Sequence, residues 1–377
     1  MSLLLGLLLI DIRLSNRNIS PTSVMISMWL AILIICGFYE DELWKLSDDT
    51  LSWLSFGCVA FFFGGICGRS LANKHVKFIP VGRIPRSIVA PVYISVFILF
   101  YFMIQAGARE DDNWYVGVRK IINYGDPDWS FVIFGYIYYF IFPVLYLSAV
   151  KCYSKSGDKD DRNTFRFHLV MCVVYALMST AKLKLLLAIV PVFFIRSYII
   201  PINIKAIITI FLIFLTVFLS SLMLLNKIPD GVGVLSSIFT IIGNYTFFNV
   251  FAIDLLGFKP IVTGGCIGTD NMCSIMPFFE YGDFKTNIYT IMYSFTEYGM
   301  ITYILFQFFI GFVHNAMDDI ARYSHNILAV LFSAVLYVPL VFQVMDNQYT
   351  ASKYMLYIMT VSYFIYLIKS RKFIYFK

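Results

Sequence analysis

At 377 residues, 59% of them hydrophobic and only 14% charged, the chain has too little polar surface to cover a soluble globule of its size. Lipid is the solvent that suits it, and a mean hydropathy of +0.77 agrees. The net charge of +6 is accounted for by membrane topology, which excludes a nucleic-acid-binding surface as its explanation.

Apolar runs recur from end to end between short polar connections, so the sequence predicts an all-α polytopic integral membrane protein of about 11 transmembrane helices in a single membrane domain over residues 1–377. The first run, Ser2–Asp11, has the apolar core of a signal peptide but neither its positive flank nor a small-residue cleavage site. It reads as a short or incomplete helix. Then follow Pro21–Phe38, Leu51–Gly68, Ile88–Gln105, Phe131–Val150, Phe167–Thr180, Leu183–Ser197, Ile204–Leu225, Tyr289–Val313, Ile327–Phe342 and Tyr354–Ile368.

The connections alternate in charge. Arg13, Arg69, Lys74, Lys77, Lys151, Lys155, Arg166, Arg196, Arg322 and the tail at Lys369–Lys377 gather on one side, where they are part of a majority of the 29 cations. Most carboxylates fall on the other. The positive-inside rule then puts the carboxy terminus in the cytoplasm. On the outer side lies the longest connection, residues 226–288, a length at which function is expected. Within it Leu235–Leu256 is apolar but interrupted by Gly243, Asn244 and Asn249 and carries Asp254, the pattern of an interfacial or re-entrant helix.

Candidate chemistry follows from which polar groups reach the membrane from that side. Lys182 and Lys184 join two apolar runs with almost no loop, so both ammoniums sit at the outer boundary. Snorkelling to headgroups is the plainer reading for Lys184, while for Lys182 a functional role is as well supported. Arg109, Arg119 and Lys120 share a connection with Glu110, Asp111, Asp112, Asp126 and Asp128, which suits either a pyrophosphate clamp or an ordinary solvated face. Glu297 lies about two helical turns into an apolar run, where an ionisable group is a functional candidate and a structural hydrogen bond is the rival. His75, His168, His314 and His325 fall in or beside inner connections, so an outer general base is a carboxylate: Asp254, Asp270, Glu280, Asp283 or Glu297. Tyr245, Phe247, Phe248 and Tyr281 crowd the same outer stretch, a pattern that anchors a chain at a membrane interface. No metal-ligand spacing, phosphate-binding Gly-rich loop or nucleophile elbow occurs, and Cys266 and Cys273 share the outer loop either bridged or as free thiols.

Several segments carry a family resemblance. Ile19-Ser20-Pro21-Thr22 leading into Met28-Trp29-Leu30, then Leu46-Ser47, Thr50-Leu51 and Phe62-Phe63-Gly64, form one set. Thr286-Asn287-Ile288-Tyr289-Thr290 with Phe295-Thr296-Glu297-Tyr298-Gly299 forms another. Together they resemble the bacterial oligosaccharide repeat-unit polymerases, the O-antigen polymerase (Wzy) family, over most of the chain. Where that family shows Gly-Arg after the basic loop, this chain has Ala181-Lys182, which keeps the charge without the planar bidentate donor.

The resemblance implies a membrane glycosyltransferase of the bacterial inner membrane. Such an enzyme transfers a growing glycan from undecaprenyl pyrophosphate to the non-reducing end of a lipid-linked repeat unit on the periplasmic face. Its partners would be undecaprenyl-pyrophosphate-linked oligosaccharides, membrane lipid and a chain-length-regulating membrane protein, with no nucleic acid, and the activated leaving group requires neither metal nor other cofactor. The roles it implies are Glu297 or Asp254 as base or orienting the acceptor, Lys182 and Arg109 or Arg119 facing the pyrophosphate with Lys184 among the binding residues, and Asn287, Tyr289 and Thr290 at the sugar, where Tyr245, Phe247, Phe248 and Tyr281 either stack on sugar rings or only anchor the interface. Two other classes compete. A lipid-linked glycan flippase would carry internal repeats and more charges within its spans, and a glycan ligase of the O-antigen ligase type would resemble its relatives in an outer-loop histidine; neither signal is present.

Overall fold

The computed structural model describes residues 1–15, 19–70, 86–125, 127–154, 157–200, 234–258, 279–281, 284–286, 290–324 and 327–349, with scattered positions in 212–224 and 356–365. Most of Ile204–Leu225 and about half of Tyr354–Ile368, together with Cys266 and Cys273, lie outside the described residues. Twelve α-helices are described: α1 (Ser2–Ser15), α2 (Pro21–Phe38), α3 (Asp48–Arg69), α4 (Arg86–Glu110), α5 (Trp114–Tyr124), α6 (Trp129–Tyr153), α7 (Lys159–Met178), α8 (Lys182–Ile199), α9 (Val234–Tyr245), α10 (Phe248–Leu256), α11 (Gly299–Ser324) and α12 (Ile327–Phe342). A short antiparallel pair, β1 (Phe279–Tyr281) and β2 (Phe284–Thr286), sets Phe279 opposite Thr286 and Tyr281 opposite Phe284.

Among the described residues, five helices are long and apolar enough to cross a bilayer: Pro21–Phe38, Asp48–Arg69, Val89–Glu110, Trp129–Tyr153 and Gly299–Tyr323. The pair Phe239–Tyr245 and Phe248–Leu256 makes a sixth if taken as one span, and it bends by 47°. That bend falls inside the segment whose Gly and Asn residues predict an interruption. α1, at 14 residues, rises only about 21 Å, too short for a full crossing.

Two boundaries differ from the sequence reading. α7 begins at Lys159 instead of Phe167, because Asp158 and Asp161 close a reciprocal capping box that carries the helix through its charged first turns. The run expected as one helix over Tyr289–Val313 is broken into a 3-10 helix, Ile291–Phe295, a turn, and α11. Gly299 holds φ at 80°, a left-handed backbone that glycine adopts without strain, so the chain turns there and only then enters the long helix.

By contacts the chain divides into two compact units. The first comprises Met1–His75, Gly231–Tyr323 and Pro339–Ser352; the second comprises Val76–Asp230, Ser324–Val338 and Lys353–Lys377. In the first unit α3 and α11 approach backbone to backbone. A β-carbon on Gly64 or Gly68 would meet the Phe308 or Phe312 carbonyl, and one on Gly311 would meet that of Phe61. Gly64 and Gly68 are the small-x-x-x-small spacing that lets membrane helices pack by close contact in the absence of a hydrophobic drive.

The far end of α3 is tied down by charge. Arg69 Nη2 lies 2.6 Å from the buried Asp11 carboxylate and donates to Asn315 Oδ1 at 2.9 Å, while Ser20 Oγ donates to Asp11 at 2.5 Å. Asn315 also pairs with Thr22, so α1, α2, α3 and α11 share one polar knot. Buried Asp11 is thereby paired, as its low-dielectric site demands.

In the second unit α4 and α5 form a tight hairpin, with Gly117 set so closely on Gly107 that a β-carbon would overlap the Gly107 carbonyl. α6, α7 and α8 pack around tyrosines that satisfy backbone oxygens across helices: Tyr146 Oη donates to Leu187 O and Tyr175 Oη to Phe134 O, at 2.6 and 2.7 Å. Two histidines expected in or beside connections are instead buried within helices. His168 Nδ1 hydrogen-bonds Tyr93 Oη at 2.9 Å in this unit, and His314 Nε2 hydrogen-bonds Tyr349 Oη at 2.7 Å in the first.

Candidate functional site

In the first unit the polar chemistry gathers where the α2–α3 connection meets α10 and the β-hairpin. Asp254, in the last turn of α10, accepts from Trp44 Nε1 at 2.9 Å on one oxygen. The other oxygen accepts from Ser47 N, Ser47 Oγ and Thr50 Oγ1 at 3.0, 2.5 and 2.6 Å. Ser47 is the N-cap of α3, so this carboxylate sits against the positive end of a helix and completes its cap. α10 stops beside it because Gly257 turns left-handed at φ 59°. Asp254 is therefore held by four donors in an anchoring role, an arrangement that the spacing of its segment does not announce.

Around it stand aromatic rings. Trp44 makes edge contacts with Phe251 and Tyr281, both at 5.3 Å between centroids, and Trp53 stacks on Phe258 at 4.7 Å. Phe247 and Phe248 are buried in the protein, Phe247 stacking on Tyr39. Of the aromatics singled out in the sequence, Tyr281 is the exposed one, at 46%. Trp44 is missed by sequence reasoning, although a lone tryptophan in a connection otherwise made of carboxylates is a signal that can be read.

Glu297 does not lie inside a helix. It is exposed in the turn between the 3-10 helix and α11, free of the burial that its apolar neighbours suggest. Burial first, and the Glu297 carboxylate second, push the phenol of nearby Tyr293 up from its ordinary range. Thr290 is buried, and its Oγ1 has no hydrogen-bond partner among the described residues. Asn287 and Tyr289 lie outside the described residues. Deeper in the same unit Gln307 Nε2 donates to Gln343 Oε1 at 3.1 Å, and Ile291 N donates to Gln343 O at 2.8 Å, which fastens the 3-10 helix to the end of α12.

In the second unit a cleft of about 540 Å³ is lined by Ala106, Arg109 and Glu110 at the end of α4, Lys120 and Ile121 of α5, then Gly125, Asp128 and Phe131. The cleft exists because the glycine contact lays α5 back along α4. Lys120 pairs with Asp111 at 2.7 Å, which lowers the Asp111 carboxyl and raises the Lys120 ammonium, the shared hydrogen bond being the first cause for both. Asp128 caps α6, accepting from Ser130 N, Ser130 Oγ and Phe131 N; the Ser130 hydroxyl holds its carboxyl below the usual aspartate range. Exposed Arg109 has no carboxylate within ion-pair distance among the described residues.

Arg119 turns to the α7–α8 junction, donating to Thr180 O at 3.3 Å beside the Tyr115 Oη bond to Leu177 O. Both meet carbonyls at the end of α7, where Leu177 O also accepts from Thr180 N at 3.0 Å. Thr180 itself holds φ at 53°, a strained conformation for a β-branched residue. Lys182 opens α8; its side chain lies outside the described residues. Lys184 is enclosed by rings: its Nζ is 5.1 Å from the Tyr175 centroid, 5.2 Å from Tyr138 and 5.9 Å from Phe134, and it donates to Tyr175 Oη at 3.3 Å. Ring quadrupoles thus balance a charge for which snorkelling was the plainer expectation.

Among the described residues no group of three or more His, Cys, Asp or Glu side chains is placed to hold a metal ion. Compared with known proteins, the chain matches no family model, no curated protein and no solved structure.

Proposed function

We propose that the chain is an oligosaccharide repeat-unit polymerase, a membrane glycosyltransferase that uses a polyprenyl-pyrophosphate-linked donor. The observation that carries this reading is the cleft at the α4–α5–α6 junction, where Arg109, with no ion-pair partner among the described residues, lines the wall with Lys120. A leaving pyrophosphate needs such preorganised positive charge, and the motifs resembling the Wzy family supply the reaction. In that reaction the bond from the anomeric carbon to pyrophosphate oxygen breaks. An acceptor hydroxyl forms the new glycosidic bond, its proton passes to a carboxylate, and undecaprenyl pyrophosphate departs.

Glu297 is the base that suits this role, being an exposed carboxylate beside the resembling motif, whereas Asp254 is engaged by four donors as an anchor. Arg109 and Lys120 take the pyrophosphate; Arg119 and Lys184 support the walls of the unit that holds them. The topology proposed with it has about 11 spans, residues 226–288 outside the inner membrane and the carboxy terminus in the cytoplasm.

Deletion of the gene followed by analysis of surface glycan tests the reading. Single-repeat material in place of polymer is the expected result. Loss of all surface glycan with lipid-linked units retained inside identifies a flippase, and polymer left on its carrier identifies a ligase. Glu297→Gln at normal protein level should abolish polymer in the complemented strain; full polymer length would remove Glu297 from the mechanism.

A further inference from the structure

We infer that Trp44 and Tyr281 form a platform for an uncharged sugar ring of the glycan, held in place by Asp254. The two rings meet edge to face at 5.3 Å, Tyr281 being exposed on the hairpin and Trp44 half-buried. The indole cannot swing freely. Its Nε1 is committed to Asp254 at 2.9 Å, and its other edge packs on Phe251. Asp254 is thus a positioning residue, whose carboxylate ties the indole to the start of α3.

Charge selects the occupant. The connection that bears Trp44 and the first turn of α3 together carry Glu40, Asp41, Glu42, Asp48 and Asp49 against Lys45, and all five carboxylates are exposed. Such a surface repels a pyrophosphate or an acidic sugar at short range, while each carboxylate accepts hydrogen bonds from hydroxyls. A neutral pyranose presents both complements at once: an apolar C–H face for the rings and a rim of hydroxyl donors for the carboxylates. The identification of that pyranose as part of a growing surface glycan rests on the polymerase reading; the platform itself does not.

The test uses the full chain in nanodiscs. Neutral oligosaccharide released from the cells' own surface glycan is the first probe, a panel of neutral hexose and N-acetylhexosamine oligosaccharides the second, and inorganic pyrophosphate the control. Binding is followed by saturation-transfer NMR and tryptophan fluorescence. Trp44→Phe and Tyr281→Ala should each weaken oligosaccharide binding by about fivefold to tenfold, with little dependence on salt, and leave pyrophosphate binding unchanged. Tyr281 is exposed, so its variant keeps the test decisive if the tryptophan variant is poorly folded.

Wild-type affinity in Tyr281→Ala, or no oligosaccharide binding by the wild-type chain to either probe, overturns the platform and leaves the deletion phenotype to judge the transferase. Conversely, a deletion strain with normal surface glycan sinks the transferase reading, while ring-dependent binding to the neutral panel would still uphold the platform.

Discussion

Asp254 in the first unit and Arg109 in the second are both ionisable groups beside helix ends, yet they are handled in opposite ways. The carboxylate accepts four hydrogen bonds from Trp44, Ser47 and Thr50, and its charge serves the start of α3. The guanidinium has no ion-pair partner among the described residues and stands on the wall of a cleft that also holds Glu110, while Lys120 pairs with Asp111 and Asp128 accepts from the amides of α6. A charge satisfied from all sides builds structure, while one left without a counter-ion is available to a ligand. The surfaces differ as well: five exposed carboxylates flank Trp44, whereas the cleft sets Arg109 and Lys120 beside Glu110 and Asp128.

The glycine contact that shapes the cleft gives the sharpest test. Gly117→Val should cost about 3 kcal/mol in thermal unfolding, because the new side chain meets the Gly107 backbone. Gly135→Val, with nothing near its β-carbon, should change stability by less than about 0.5 kcal/mol. Equal effects at the two sites would mean that α5 does not lie against α4.

Next in size is the free charge. Arg109→Ala combined with Lys120→Ala should reduce polymer formation about a hundredfold at normal protein level, read from the glycan ladder. Unchanged polymer would strip the cleft of its role and dissolve the contrast.

Asp254 sharpens the comparison from the other side. Asp254→Ala should lower stability by about 2 kcal/mol by leaving Trp44, Ser47 and Thr50 without their acceptor, whereas Asp254→Asn should keep most of the fold and a measurable fraction of activity. Complete inactivity of a well-folded Asn variant would return Asp254 to the role of base.

The smallest effect is on acid stability. Asp128 and Asp111 titrate below the ordinary aspartate value, so the stability they contribute is present above about pH 4 and is lost as the pH falls through their lowered values. Asp128→Asn should flatten that acid limb of a thermal-shift profile. An unaltered limb would show that the α6 cap is not what protonation removes.

Pro21–Phe38 and Ile327–Phe342 coincide with helices read from hydropathy, because a bilayer imposes a length and an apolar composition that a one-dimensional scan detects. The interruption near Gly243 was legible for a related reason, since Gly and Asn weaken a helix wherever it is placed. Lys159, which begins α7 well inside a charged stretch, was less so: a capping box is a local hydrogen-bond pattern that hydropathy does not register.

The amino-acid sequence by itself determined that this chain is built of apolar helices, where most of them run and which residue types line their connections, because solvent matching acts on each segment separately. Only the tertiary structure decided that Glu297 stands exposed in a turn, that Asp254 is engaged by Trp44, Ser47 and Thr50, and that Lys184 is enclosed by three rings. Those outcomes depend on partners as many as 210 positions away in the chain, and a side chain's charge acquires its use from what the fold sets against it.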